Sequence, residues 1–236
     1  MSDHHQGSSP APAAAPMFSR AAWVRILPFL AYVGFIVIVD LLTRAGIDPA
    51  ALRWMYAVKV GVVLLMLIMF WRHYTELHTL RLSPTWGLIA IVVGVVVWYL
   101  WISLNADWMI IGSPDGFDPR TNGQIDWAMV AVRIAGAALV VPVMEELFWR
   151  SFLMRWIDDV NFEQVDPRRV KPLSVAIVVL LFAFEHNQWM AGIVAGAAYS
   201  FLYMWQRGLW SAILAHAVTN GVLGIWIVHS GTWTYW

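Results

Sequence analysis

The chain has 236 residues, 60% of them hydrophobic and only 13% charged, with Lys plus Arg and Asp plus Glu balanced at 15 each. Soluble domains carry roughly 25% charged residues, so the composition excludes an ordinary water-soluble globule and predicts a chain whose main solvent is lipid. The even charge balance gives no basis for a nucleic-acid partner, and the lack of cysteine excludes disulfides, thiolate nucleophiles and Cys-ligated metals.

Residues 1–19 are rich in Pro, Ala and Ser without apolar periodicity and predict a disordered tail. The apolar run that follows is too long for a signal peptide, and no small-residue cleavage site follows it before Arg44. Residues 20–236 read as a single transmembrane helical domain. A bilayer takes about 20 residues to cross. Spans are expected near Trp23–Leu42, Trp54–Trp71, Pro84–Leu104, Trp127–Trp156, Pro172–His186, Trp189–Trp205 and Leu209–His229. The fourth is overlong and contains Pro142, which predicts either two helices or one kinked helix. The fifth is short and ends at His186. The fold class is therefore all-α: a polytopic helical membrane protein with 7–8 transmembrane helices. The 16 tryptophans fit belts at the two membrane interfaces.

Cationic residues set the expected orientation. With the tail inside, Arg20, Arg25, Arg72, Arg81, Arg150, Arg155, Arg168, Arg169, Lys171 and Arg207 fall on the inner side, against Arg44, Arg53 and Arg120 outside. The acidic loop from Asn105 to Asp126, with Asp107, Asp115, Asp118 and Asp126, reads as external. This predicts an integral membrane protein with a cytoplasmic N-terminus.

Ionisable groups deep in a bilayer are costly, rare and usually functional. Here they concentrate in VVPVMEELFWRSFLMRW (Glu145, Glu146, Arg150), VVLLFAFEH (Glu185, His186) and SAILAHAVTNGVLG (His216, Asn220). The first three spans hold few comparable groups, chiefly Asp40 and Lys59. Counting helical rise from inner-surface markers puts Glu145 and Asn220 roughly 20 Å deep, His186 roughly 22 Å and His216 roughly 14 Å. Glu146 with Arg150, His216 with Asn220, and Phe182 with His186 are each i,i+4 pairs that share a helix face. Glu145 points about 100° away from Glu146 and is free to face a cavity.

Such a constellation suits water activation. A carboxylate and an imidazole on neighbouring helices can hold one water and take its proton. A second imidazole and a carboxamide can donate to a developing oxyanion. No Ser, Thr or Cys stands beside a base in these motifs, which favours direct attack by water.

Glu145-Glu-Leu-Phe-Trp-Arg150 resembles the EExxxR motif of the CAAX-protease and bacteriocin-processing (CPBP, or Abi) family of membrane enzymes. Phe182-Ala-Phe-Glu-His186 resembles its FxxxH motif and His216-Ala-Val-Thr-Asn220 its HxxxN motif, in family order over about residues 125–225. The wording of the first motif is also similar to a bacterial, exosortase-associated, CAAX prenyl protease-related branch, which implies a bacterial inner membrane. The resemblance implies an intramembrane endopeptidase acting on a membrane-embedded or membrane-associated protein or peptide. It implies Glu145 as the base, His186 as its partner, His216 and Asn220 as oxyanion donors, and Glu146 and Arg150 as orienting groups.

Blander readings stand beside these. Glu146 with Arg150 can be an intrahelical ion pair, a membrane histidine can be a packing residue, and Asn220 can bond a neighbouring helix. Gly192, Gly196 and Ala197 suit close helix approach. No HExxH occurs. The expected scheme needs no cofactor; were zinc used, Glu145, His186 and His216 would be its ligands. The alternative functions are a non-proteolytic membrane scaffold or regulator of the same fold, or a transporter using the same acids.

Overall fold

The computed structural model describes residues 17–112 and 116–236. Most of the expected tail (1–16), with His4 and His5, and also Asp115 lie outside the described residues. Among the described residues there are seven long helices: α1 (Arg20–Arg44), α2 (Met55–Phe70), α3 (Pro84–Ser103), α4 (Trp127–Trp156), α5 (Pro172–Phe184), α6 (Trp189–Gln206) and α7 (Leu209–Ser230). Five are long and apolar enough to cross a membrane: α1, α2 with its flanking turns, α3, α4 and α7. Short side chains set several of the boundaries. Ser19, Ser83 and Asp126 accept from backbone N–H groups in the first turns of α1, α3 and α4, and Pro84 and Pro172 open α3 and α5. At the other ends, Arg207 (φ 59°) and Gly231 (φ 70°) adopt left-handed conformations that close α6 and α7.

Outward faces are apolar. Leu65, Ile68, Leu88, Leu139 and Leu173 are all more than 60% exposed, as lipid-facing side chains are. In lipid the hydrophobic effect does not pull helices together, so close approach and interhelical hydrogen bonds must do it. Glycine supplies the first. A Cβ at Gly94 of α3 would lie 2.5 Å from Ala215 O and 2.8 Å from Val218 Cβ of α7, so only glycine permits this crossing. Gly192 likewise brings α6 onto Ala183 of α5, and Gly196 packs against Phe182 and Val179. Ala197, expected in the same role, is exposed, because it falls on the opposite face of α6.

The fourth span is one helix, not two. Pro142 does not break it; instead α4 is wound wider over Gly136–Val140 and Leu147–Leu153, and Val141 N–H bonds back five residues to Gly136 O. In that register Ala137 O would pair with the N–H of residue 142. Proline has none, so the carbonyl is released. Helix α5 ends at Phe184. Its 13 residues span roughly 20 Å, too short for a bilayer core of about 30 Å, as the sequence suggested.

The loop between α3 and α4 carries a two-stranded hairpin, β1 (Arg120–Thr121) and β2 (Gln124–Ile125), turned at Asn122-Gly123 with positive φ at both residues. The same loop holds the turn after α5. Ile111 N–H donates to Asn187 O, Asn187 Nδ2 donates to Ile111 O (both 2.8 Å), and Trp189 Nε1 donates to Trp108 O.

At the opposite end of the bundle, Arg25 of α1 is 1% exposed and is clasped by Glu76 (Nε to Oε1 3.0 Å, Nη2 to Oε2 2.7 Å). Ser151 of α4 also donates to Glu76, and Arg155 Nη2 donates to Ser151 Oγ at 2.9 Å. Burial alone would push the Glu76 carboxyl up; the charge and hydrogen bonds of Arg25 and the Ser151 hydroxyl outweigh it and hold the group below its ordinary value.

Candidate active site

A cavity of about 410 Å³ lies among α1, α2, α4, α5, α6 and α7, and Glu145, His186, His216 and Asn220 all line it. The three motifs thus meet in space, although they are separated by tens of residues in the chain. Phe182, Glu185 and Tyr199 line it too.

Glu145 and Glu146 lie on the short α-helical stretch between the two widened parts of α4, and both are buried. Their partners differ. Glu146 Oε1 accepts from Arg150 Nη1 at 3.2 Å and from His216 Nδ1 at 3.0 Å, with Glu146 and Arg150 fully buried. Arg150 Nη2 also donates to Gly196 O at 3.2 Å, and its guanidinium carbon lies 4.5 Å from the Phe182 ring centre. The ion pair read from the i,i+4 spacing is therefore present, and it reaches further, to His216 and α6. Glu145 Oε2 and Glu146 Oε2 are both buried without a hydrogen-bond partner among the described residues, but only Glu145 lines the cavity. A buried carboxylate oxygen needs a donor, and the cavity is where one can come from.

The hydrogen bonds of the imidazoles define their free nitrogens. His186 Nδ1 donates to Phe182 O at 2.8 Å, which leaves the Nε2 lone pair of the neutral ring available as an acceptor. The ring packs on Phe182 (centroids 4.8 Å) and edge-on to Trp101 (5.2 Å). His216 is stacked on Tyr199 at 4.8 Å and 17°. Its Nδ1–H is committed to Glu146, so Nε2 donates only when the ring is doubly protonated. Asn220 donates one Nδ2–H to Ala137 O at 2.9 Å, the carbonyl released by the widened turn before Pro142, and keeps its second N–H. Tyr199, which the motifs did not reveal, bonds Thr219 Oγ1 at 2.8 Å, and Thr219 in turn donates to Gly94 O (2.9 Å) or Ala215 O (3.0 Å).

The first three spans, expected to hold few ionisable groups, contribute to the cavity as well. Lys59 and Tyr56 of α2, Tyr32 of α1 and Arg133 near the start of α4 also line the cavity, because α1 and α2 pack against α4. An isolated Lys in VKVGVVLL was the available signal. Among the described residues, no three His, Asp or Glu side chains converge on a point that could hold a metal ion; Glu145, His186 and His216 share the cavity without forming such a ligand set.

Residues 126–222 match the model of the family described as Type II CAAX prenyl endopeptidase Rce1-like, a stretch that contains all three motifs. No curated protein and no solved structure matches the chain. The matched residues run from the cap of α4 into α7 and include Glu145, Phe182, His186, His216 and Asn220, all of which line the cavity. Over residues 126–222 the chain is therefore similar to the CAAX prenyl endopeptidases, a family of membrane proteases.

Proposed function

We propose that the protein is an intramembrane endopeptidase that hydrolyses a peptide bond with water activated by Glu145 and His186. The supporting observation is the unpartnered, buried carboxylate oxygen of Glu145 in a cavity shared with His186, His216 and Asn220. Water bound between Glu145 and His186 Nε2 gives its proton to the carboxylate as it attacks the peptide carbonyl. The resulting oxyanion takes hydrogen bonds from the free N–H of Asn220 and from Nε2–H of protonated His216. Glu146 balances that imidazolium and holds its ring in place, while Arg150 anchors Glu146. The carbon–nitrogen bond then breaks and the proton held by Glu145 passes to the leaving amine. No step calls for a metal. The N-terminus is cytoplasmic on the distribution of Arg and Lys, and the wording of the first motif supports a bacterial inner membrane.

The decisive experiment compares the proteomes of membranes carrying wild-type protein and Glu145→Gln. Loss of the base is expected to reduce turnover by about 10²–10⁴ while the variant inserts and folds normally. Substrates then appear as uncut precursors in the variant membranes. Identical fragment patterns in the two membranes would remove Glu145 from the chemistry.

A further inference from the structure

The end of the bundle opposite the α3–α4 loop holds a cavity of about 560 Å³ that shares no lining residue with the cavity of Glu145. Four arginines and three carboxylates line it. Arg25 clasps Glu76 and lies 4.0 Å from Glu163, and Arg207 pairs with Asp166. That leaves Arg81 and Arg155 with no carboxylate within ion-pairing distance among the described residues. Arg81 is exposed, but Arg155 is only 8% exposed. Its Nε donates to Ser151 O at 2.6 Å and its Nη2 to Ser151 Oγ at 2.9 Å, while Nη1 donates to nothing among the described residues. A buried cation without a counter-ion is costly. Two more buried polar atoms at the same cavity lack a partner among the described residues: Trp210 Nε1, a donor, and Gln206 Oε1, an acceptor. Gln206 Nε2 donates to Arg81 O at 2.7 Å, which fixes the α2–α3 loop, and Arg81 with it, against the end of α6.

We propose that this cavity binds a phosphate group, with Arg155 as its buried counter-ion. A guanidinium fork, a second arginine and an indole N–H approaching from three different elements can each take a separate oxygen of a tetrahedral anion, whereas a planar carboxylate offers only two. Gln206 Oε1 calls for a hydroxyl donor, which the glycerol headgroup of phosphatidylglycerol carries. The surroundings favour a lipid as the carrier of the phosphate. Leu80 stands beside Arg81 in the loop, and Phe201 and Trp205 precede Gln206 on α6; all three are more than half exposed and form an apolar surface along which acyl chains can lie. Basic pockets between helices on the cytoplasmic side of a membrane take anionic headgroups, and the distribution of Arg and Lys puts this end of the bundle on that side. The site is independent of the peptidase chemistry proposed above.

The test uses the full-length protein in detergent micelles and counts bound lipid by native mass spectrometry. Phosphatidylglycerol is expected to bind at least about tenfold tighter than phosphatidylcholine, whose choline cation the arginines repel. Arg155→Gln should erase that preference. Trp210→Phe, which removes little beyond the N–H, should weaken it in a protein that melts like wild type. Arg72→Gln, at an exposed position outside the cavity, should leave it unchanged. Inorganic phosphate, exchanged for chloride at fixed ionic strength, is the second arm. Displacement of phosphatidylglycerol by phosphate places both in one site. Arg155-dependent thermal stabilisation by phosphate without any lipid preference keeps the phosphate site and moves its source to solution. A wild type that shows neither the lipid preference nor the stabilisation overturns the proposal, whether or not the variants fold. A preference lost as fully in Arg72→Gln as in Arg155→Gln overturns it too, because diffuse surface charge then explains the binding. So does displacement of both ligands by an N-acetyl-Asp-Asp-Asp peptide, which would assign the cavity to carboxylates.

Discussion

His216 Nδ1 donates to Glu146 Oε1 at 3.0 Å across 70 residues of chain, and the same oxygen accepts from Arg150. One buried carboxylate therefore sets the orientation of an imidazole on α7 while neutralising a guanidinium on its own helix. Glu146→Gln keeps an acceptor but withdraws the charge that supports a protonated His216. We expect kcat to fall by about 10²–10³, the usual effect of losing an oxyanion donor, with KM unchanged. Glu146→Ala strands Arg150 and should also destabilise the fold by about 3–5 kcal/mol. Kinetics on a substrate recovered from the proteome comparison, alongside detergent melting curves, separates the two effects. An unchanged kcat in Glu146→Gln would detach Glu146 from catalysis.

Tyr199 holds His216 by its ring and Thr219 by its hydroxyl. Tyr199→Phe should keep the stack and cost only about 0.5–1.5 kcal/mol for the lost hydrogen bond. Tyr199→Leu removes the flat face and should lower kcat as well. Equal activity in the two variants would mean that the stacked face does not position His216.

Pro142 leaves Ala137 O open to Asn220. Pro142→Ala restores a backbone N–H that competes for this carbonyl and favours ordinary helical winding. The expected result is raised or unchanged thermal stability together with lower kcat, since Asn220 loses its anchor. A variant as active as wild type would show that the widened turn does not serve Asn220.

Gly94 lets α3 touch the segment of α7 that carries His216. Gly94→Ala would place a methyl group against backbone, where nothing flexible can yield. Overpacking of this kind typically costs about 1–3 kcal/mol, and the displaced helix should lose activity beyond the loss of stability. Melting temperature and specific activity of the purified variant check this, and a wild-type value for both would mean the helices separate freely.

Glu76 provides a pH signature at the other end of the bundle. Its folded pKa is depressed, so its contribution to stability is fully present above the unfolded value of about 4.3 and fades as pH falls through the folded value. Melting of wild type and Glu76→Gln should therefore differ most near neutral pH and converge on acidification. A gap that widens toward low pH would reverse the sign and contradict the Arg25 clasp.

Much of this architecture was legible in one dimension. Long apolar runs must become helices in lipid because every backbone polar group has to be satisfied internally, so the seven segments and their approximate ends followed from composition and spacing. The i,i+4 pair of Glu146 and Arg150 was equally readable, since helical geometry alone brings the two together. The widened winding of α4 was not. Pro142 announced a disturbance, but whether a helix breaks, kinks or widens depends on what its neighbours offer the released carbonyl, and Asn220 sits on another helix.

The amino-acid order by itself determined the helical membrane class, the apolar segments and the polar residues that stand out within them, because local periodicity and the cost of charge in lipid act within single segments. Only the tertiary structure decided that Glu146 serves His216, that Tyr199 backs the imidazole, and that Lys59 and Arg133 border the same cavity. Those relations depend on how helices cross, and in lipid the crossings are set by glycine contacts and interhelical hydrogen bonds between residues far apart in the chain.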